Sequence, residues 1–267
     1  LPAVSGFISK IENIGKTSNK GIEIGLSTEN IRSDKFTWSS NISFSAIKEE
    51  IVELLNKDIN GKPLDRLANG WFIGQPTQVY YSYQYDRIWQ NTTEDIAEMV
   101  KFNANGHRFY PGTAKVVDQN GDYKITGDDM IILGTNRPKW MAGITNNFSY
   151  KELTLSFFVF ARIGQMMFGS APVQRDTWSW DNPNGKYTMP NSGNVENNTL
   201  GMLYKDGSYV AVRTISLSYT IPKIITKSKI KSLEITAQVI NPFLFGGEAI
   251  KMGLNPEDAT NWDLTNV

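Results

Sequence analysis

Three pairs of segments alternate apolar and polar residues with a period of two. Large aliphatic and aromatic side chains occupy one set of positions, and serine, threonine, asparagine and other polar side chains mostly occupy the other. The pairs are residues 21–29 with 36–44, 139–150 with 152–161, and 209–221 with 230–240. This alternation predicts strands, and the short link inside each pair predicts an antiparallel hairpin.

The segments between these pairs are less regular. Residues 13–21 are turn-forming, and residues 46–55 (AIKEEIVELL) fit either a helix or a strand, with charges that favour an exposed extension. Residues 77–89 predict a strand with aromatic side chains on both faces, and residues 93–101 predict a helix capped by Thr93. Residues 164–207 predict a long polar loop, a kind of segment that often carries function.

The connections between the predicted strands alternate in length. Short links near residues 30–35, 149–151 and 222–229 alternate with long, aromatic-rich connections. Transmembrane β-barrels have this pattern, whereas a soluble β-sandwich usually has more evenly spaced turns. Six strands are too few to close a barrel, and an open sheet would leave two bare edges. The pattern therefore leaves two possibilities, part of a larger barrel or a different, soluble β fold.

One acidic loop, residues 118–129, matches the spacing of an EF-hand-type calcium loop. Its candidate ligands, at positions 1, 3, 5, 7, 9 and 12, are Asp118, Asn120, Asp122, Lys124 (through its backbone carbonyl), Thr126 and Asp129. Position 12 is aspartate rather than glutamate, and position 6 is Tyr123 where the sharp turn favours glycine. The alternative is an Asx-rich turn that bonds to its own backbone without a metal.

Composition excludes several other classes of site. Lys plus Arg equals Asp plus Glu, 27 each, so no excess charge points to nucleic acid. The chain has no cysteine and one histidine, His107, which we expect in a surface loop; disulfides, thiolate or histidine zinc sites and a Ser-His-Asp triad are thereby disfavoured. No apolar run approaches the roughly 20 residues of a transmembrane helix, and the first residues do not have a signal-peptide pattern.

An ordered set of segments resembles a known family. These segments include NIGKTSNKGIEIGL (13–26), FTWSSNISFSAIKEEIVEL (36–54), YQYDRIWQ (83–90), residues 111–164, GSYVAVRTISLSYTIP (207–222) and NPFLFGGEAIKMGLNPE (241–257). Together they resemble the C-terminal part of the barrel in SusC/RagA-type TonB-linked outer-membrane proteins. The resemblance covers almost the entire chain.

The resemblance implies an all-β fold, with antiparallel strands that form part of a plugged barrel of about 22 strands in the outer membrane of Bacteroidota. Such proteins import glycans or peptides, partner a SusD-type surface lipoprotein that acts as a lid, and draw energy from TonB. The short turns would then face the periplasm, and residues 45–138 and 162–208 would be extracellular. Residues 1–267 would be a C-terminal segment that lacks the family's signal peptide, TonB box, plug and most strands, and we also expect a last strand to be missing.

Loop aromatics are the candidate substrate-binding residues, because aromatic faces suit the apolar side of a sugar ring. They are Trp71, Tyr85, Trp89, Trp178 and Trp180. Loop packing or contact with the lid is the alternative role for each. We expect no catalytic residues, since clustered acids such as Glu49, Glu50 and Glu53, or Asp128 and Asp129, do not make a pair across a cleft. The alternative function is a soluble, secreted carbohydrate-binding β-module with structural calcium.

Overall fold

The computed structural model describes residues 15–168, 201, 203–222 and 232–257. In chain order its strands and helices are β1 (Gly15–Arg32), β2 (Phe36–Leu54), β3 (Val79–Tyr83), β4 (Tyr85–Ile88), α1 (Thr93–Ala104), β5 (Ala114–Val116), β6 (Met130–Thr135), β7 (Trp140–Tyr150), β8 (Leu153–Ile163), β9 (Met166–Phe168), β10 (Tyr204–Asp206), β11 (Tyr209–Ile221), β12 (Leu233–Gly246) and α2 (Glu248–Lys251). Six of the strands form one sheet in the order β1-β2-β7-β8-β11-β12, and every pair in it is antiparallel.

The three predicted hairpins are confirmed, and the strand ends that their links connect lie at one end of the sheet. Residues 33–35 join β1 to β2, and a tight turn with Lys151 at φ 53° joins β7 to β8. We call this the short-turn end. The opposite, long-connection end carries the first excursion, residues 55–139, between β2 and β7. It also carries the described residues 164–168, 201 and 203–208 between β8 and β11, which we call the second excursion.

The two faces of the sheet differ in chemistry. One cross-strand row contains Ser39, Asn147, Ser156, Ser216 and Gln238, and the adjacent rows on this polar face are also rich in small polar residues. The apolar face carries large hydrophobic side chains from all six strands; they include Ile22, Ile24, Leu26, Ile42, Phe44, Ile144, Phe148, Leu155, Val159, Leu217, Ile235 and Val239. Several of them are largely exposed, Ile22 at 63% and Ile235 at 61%. A contiguous apolar face of this size is unusual on a soluble monomer.

The first hairpin is longer than the sequence predicts. Residues 15–20, predicted as a turn, extend β1, and residues 46–54 continue β2 as a strand rather than a helix. The two extensions pair with each other, from Asn19 opposite Glu49 to Gly15 opposite Leu54. Each segment alone has only weak local preferences and fits more than one secondary structure. The hydrogen-bonded ladder between the two segments overrides these preferences and makes both of them strands.

The first excursion has its own hydrophobic core. Tyr83, Trp89, Met99, Phe102, Phe109, Val116 and Ile125 pack together there. The strand predicted over residues 77–89 is divided into β3, paired with β6, and β4, paired with β5. The predicted helix is present as α1, but its cap is Thr92 rather than Thr93, since the Thr92 side chain accepts the Asp95 N–H at 3.2 Å.

The second excursion contains structure that the sequence did not predict. β9 and β10 pair within the segment interpreted as a long polar loop. Within the described ranges, no helix is both long enough and apolar enough to cross a membrane.

Candidate functional site

Side chains of the acidic loop bond mainly to the loop's own backbone. Asp118 Oδ1 accepts the Gly121 N–H at 2.7 Å, and Asp118 Oδ2 accepts the Tyr123 N–H at 2.8 Å. Two further bonds of this kind join Asn120 Oδ1 to the Asp122 N–H and Asp122 Oδ1 to the Lys124 N–H. Such Asx turns hold a loop in shape without help from outside it.

Asp129 closes the loop from a fully buried position, with 0% exposure. Its Oδ1 accepts the Gln119 N–H at 3.0 Å, and its Oδ2 accepts the Thr126 N–H at 2.7 Å. Thr126 in turn caps the short 3-10 turn at residues 127–129, so that the two side chains form a capping box. The Asp129 carboxylate therefore ties the beginning of the loop to its end.

All six predicted metal-ligating residues lie in this one loop, where backbone amides engage its carboxylates. This hydrogen bonding is the arrangement expected of an Asx-rich turn. Across the described part of the chain, no group of three or more histidine or acidic side chains comes together in a way that could hold a metal ion. Calcium binding stays a prediction.

Tyr123 occupies the loop position at which a positive φ angle normally favours glycine. It adopts φ 58°, in the left-handed region, which costs a non-glycine residue roughly 1 kcal/mol. Its ring packs edge-on against Phe102 with centroids 5.5 Å apart, and the Lys101 ammonium lies 4.8 Å from the ring centroid. Asn105 also donates to the Tyr123 carbonyl at 3.3 Å. These contacts offset the strain and fasten the acidic loop to the end of α1.

His107 is half-buried, not the surface residue that the sequence predicts. Its ring lies parallel to Phe109, with centroids 5.2 Å apart, and its Nε2 accepts the Ile125 N–H at 3.0 Å. Only neutral imidazole offers such an acceptor nitrogen. Burial lowers the His107 pKa from its ordinary 6.5, which favours this neutral form.

We expect acid to loosen the acidic loop through His107. Since the folded-state pKa lies below 6.5, the His107 contribution to stability is complete above about pH 6.5 and is lost as pH falls through the lower folded pKa. Amide hydrogen exchange of residues 118–130 in the full-length protein, corrected for intrinsic rates, should therefore accelerate between pH 7.5 and 5. The His107→Gln variant can still accept a hydrogen bond but does not titrate, and the acceleration should be absent; an identical acceleration there would contradict this role.

Trp89 lies in the core of the first excursion and is only 1% exposed. Its ring packs against Phe102 and Phe109, with centroids 6.0 and 5.8 Å away, and the Lys115 ammonium lies 4.4 Å from the ring centroid. The indole is enclosed by protein on these sides, so it is placed to stabilise the excursion rather than to stack on a ligand.

An ion pair between half-exposed Arg87 of β4 and buried Asp95 of α1 holds the helix against this core. Arg87 donates to both carboxylate oxygens of Asp95 at 2.6 and 2.8 Å, and the Gln90 N–H donates to Asp95 as well. The Arg87 guanidinium lowers the Asp95 pKa from 3.8 to about 2. The Asp95 carboxylate therefore stays ionised throughout the neutral pH range, and its role is to hold Arg87 and the Gln90 N–H in place.

Of the other aromatic residues predicted to bind substrate, the structure describes Trp71 and Tyr85, which lie in different parts of the first excursion. Trp71 is in a tight turn whose backbone pairs with Arg66, and the Arg66 guanidinium lies 5.7 Å from the centroid of the Trp71 ring. Tyr85 lines a cavity between the two excursions. Trp178 and Trp180 are outside the described residues. Stacking of these side chains on a sugar stays a prediction.

A cavity of about 560 Å³, the junction cavity, lies where three parts of the chain meet. Its lining comes from the β3–β4 region and β6 of the first excursion, from β9 and β10 of the second, and from α2. The polar lining residues are Gln84, Tyr85, Asp86, Tyr204, Lys205 and Glu248. Aromatic surfaces with a few convergent polar groups are typical of ligand sites.

Lys205 anchors this cavity. Its side chain is 7% exposed, and its ammonium lies 3.0 Å from Glu248 and 5.8 Å from the Tyr85 ring centroid. Neighbouring Tyr204 packs between Tyr80 and Phe168, with centroids 4.5 and 5.4 Å away, and burial raises its pKa. The cavity can offer hydrogen bonds, aromatic faces and a fixed charge pair to a polar ligand.

Sequence reasoning identified Tyr85 but missed its partners. Tyr204 and Lys205 are in the predicted long loop, and Glu248 follows β12, so no spacing in the sequence brings them to Tyr85.

The clustered acids on β2 are paired: Glu49 with Arg137 at 3.1 Å, Glu50 with Lys48 at 2.6 Å and Glu53 with Lys57 at 3.3 Å.

Comparison with known proteins identifies relatives of one kind, although no family model matches. The chain is 28% identical to TonB-dependent receptor P26 of Formosa agariphila over 243 residues, 83% of this chain and 24% of that protein. It is 22% identical to TonB-dependent receptor SusC of Bacteroides thetaiotaomicron over 290 residues, 96% of this chain and 26% of that protein. The chain thus spans about a quarter of the length of these relatives.

Solved structures share the fold. In the RagAB peptide importer in its open-open state, a chain aligns with a TM-score of 0.68 at 18% identity, over 96% of this chain and 28% of its own length. The RagAB peptide transporter aligns with a TM-score of 0.66 at 18% identity, over 96% of this chain and 28% of its own length. The strand arrangement described above is therefore that of part of a TonB-dependent receptor barrel.

Proposed function

Since this chain is homologous to TonB-dependent receptors of the SusC type over most of its length, we propose that it forms part of the wall of an outer-membrane nutrient transporter. The proposal rests chiefly on one observation, the contiguous apolar face that all six strands of the sheet present, opposite a face rich in small polar residues. In a barrel wall the apolar face contacts lipid and the polar face lines the lumen.

In this arrangement the short-turn end faces the periplasm and the two excursions face the cell exterior. A SusD-type lipoprotein would cover the excursions as a lid, and TonB would supply energy through other parts of the protein. The cargo would be a glycan or a peptide, and the junction cavity is the place among the described residues that we propose contacts it. Calcium at the acidic loop, if bound, would be structural.

Fractionation of the native protein tests this proposal. An antibody against the first excursion should detect a protein in the outer-membrane fraction. Its mass should be roughly four times the 30.0 kDa of this chain, as expected if the chain is about a quarter of the protein. The same antibody should label intact cells, because the excursion faces outward. A soluble protein of about 30 kDa would contradict the proposal and favour a secreted carbohydrate-binding module.

A further inference from the structure

The barrel wall contains a gap between β2 and β7 at the long-connection end. Pairing between these strands runs from Phe36 opposite Tyr150 to Ser45 opposite Met141, yet β2 continues to Leu54. Above the gap, the Ile51 N–H donates to the Gln75 carbonyl and the Gly74 N–H donates to the Ile51 carbonyl, both at 2.8 Å. In the part of the chain that the structure describes, no strand pairs with residues 46–50 on this side. A cavity of about 740 Å³ lies at this gap, which we call the rim window.

The lower part of the rim window is a continuation of the apolar face. Ile22 and Ala46 are cross-strand partners and both line the window. Trp140, the first residue of β7, also lines it, and its ring packs against Phe44 with centroids 6.1 Å apart. A hydrocarbon chain lying on the apolar face would therefore reach the window without leaving apolar surface.

The upper part of the rim window is cationic. Lys20 and Lys48 are direct cross-strand partners, one step above Ile22 and Ala46 on the same face. Like charges directly opposite each other destabilise a strand pair. Glu50 supplies one carboxylate to this pair, through an ion pair of 2.6 Å with Lys48 and an attraction to Lys20. A second anion near the two lysines would complete their neutralisation.

Further charges in the lining have the same sign. Arg137 and Lys139 both line the window. The only acidic residue in the lining is Glu49, which accepts the Thr77 N–H at 3.2 Å and pairs with Arg137 at 3.1 Å. The lining as a whole therefore carries an excess of positive charge above an apolar floor.

We propose that the rim window binds one lipid of the outer leaflet whose phosphate-bearing headgroup has a net negative charge. Its acyl chain lies along Ile22, Ala46 and Trp140, and its phosphate accepts hydrogen bonds from Lys20 and Lys48. This inference rests on the proposed function, because that orientation places the long-connection end at the outer leaflet. Basic residues at a membrane surface strengthen the binding of an anionic lipid, so we expect the two lysines together to account for an affinity difference of more than tenfold.

Native mass spectrometry of the full-length protein in mild detergent tests the proposal, with diphosphorylated lipid A as the anionic probe and phosphatidylethanolamine, whose headgroup is zwitterionic and has no net charge, as the comparison. The wild-type protein should retain lipid A in preference to phosphatidylethanolamine. The double variant Lys20→Gln/Lys48→Gln should bind lipid A at least tenfold more weakly. The matched control, Lys35→Gln/Lys151→Gln, removes two lysines at the short-turn end and should bind like the wild type.

Each other result has a distinct meaning. Equal retention of lipid A by both double variants, or equal retention of the two lipids by the wild type, would overturn the rim-window site while the protein remained in the outer membrane. Recovery of the native protein from the soluble fraction would instead overturn the proposed function itself.

Discussion

Replacing Ile144 with lysine is expected to prevent most of the full-length protein from reaching the outer membrane in folded form. Ile144 lies in the middle of β7 on the apolar face, between Ile42 of β2 and Val159 of β8. A lysine on the lipid face near the midplane of the bilayer destabilises a barrel by about 2–4 kcal/mol. Surface labelling of intact cells and the heat-modifiable migration of folded barrels on gels would measure the loss.

Thr145→Lys is the matched control for Ile144→Lys. Thr145 is the next residue of the same strand and lies on the polar face, where its cross-strand neighbours are Asn41 of β2 and Phe158 of β8. The Thr145→Lys substitution adds the same charge at nearly the same depth, but the proposed barrel places its ammonium in the lumen, so surface levels should stay close to those of the wild type. Equal loss in the two variants would contradict the assignment of the faces, and loss in the Thr145→Lys variant alone would invert it.

Asp129→Ala is expected to unfold the acidic loop locally. The substitution removes the buried carboxylate that accepts the N–H groups of Gln119 and Thr126, and hydrogen bonds to a charged group contribute about 1.5–3 kcal/mol each. We expect the local unfolding free energy of the first excursion to fall by about 3 kcal/mol or more, seen as faster hydrogen exchange across residues 117–130 of the full-length protein. Asp129→Asn keeps one acceptor oxygen and should lose less; a wild-type exchange pattern in Asp129→Ala would contradict the role of Asp129.

Asp122→Ala separates the two interpretations of the loop. Asp122 is exposed, and its carboxylate bonds to the Lys124 N–H. If the loop is an Asx-rich turn without metal, this substitution should cost less than about 1 kcal/mol, equally in calcium and in EDTA. If calcium binds, the wild-type loop should be more protected in calcium than in EDTA, and Asp122→Ala should abolish that difference.

Much of the sheet was predictable because strand alternation is a local property. Side chains on a strand point to opposite faces in turn, so the apolar positions of β7, β8 and β11 identify both the strand and its apolar face. The first excursion was less predictable. α1 was located with an error of one residue at its cap, whereas the core position of Trp89 had no signal in the sequence, because an aromatic residue in a polar segment looks the same whether it packs inward or binds a ligand.

The sequence by itself determined the three hairpins, the alternation of short and long connections, the resemblance to SusC/RagA-type proteins and the spacing of the acidic loop. The tertiary structure decided which weak segments became strands, how Tyr123 is held at positive φ, and where Lys205 and Glu248 meet Tyr85. The tertiary structure also decided that β2 extends beyond its last pair with β7, so that the rim window lies between them. These features depend on contacts between residues far apart in the chain, and such contacts form only when the sheet brings those segments together, which no local pattern encodes.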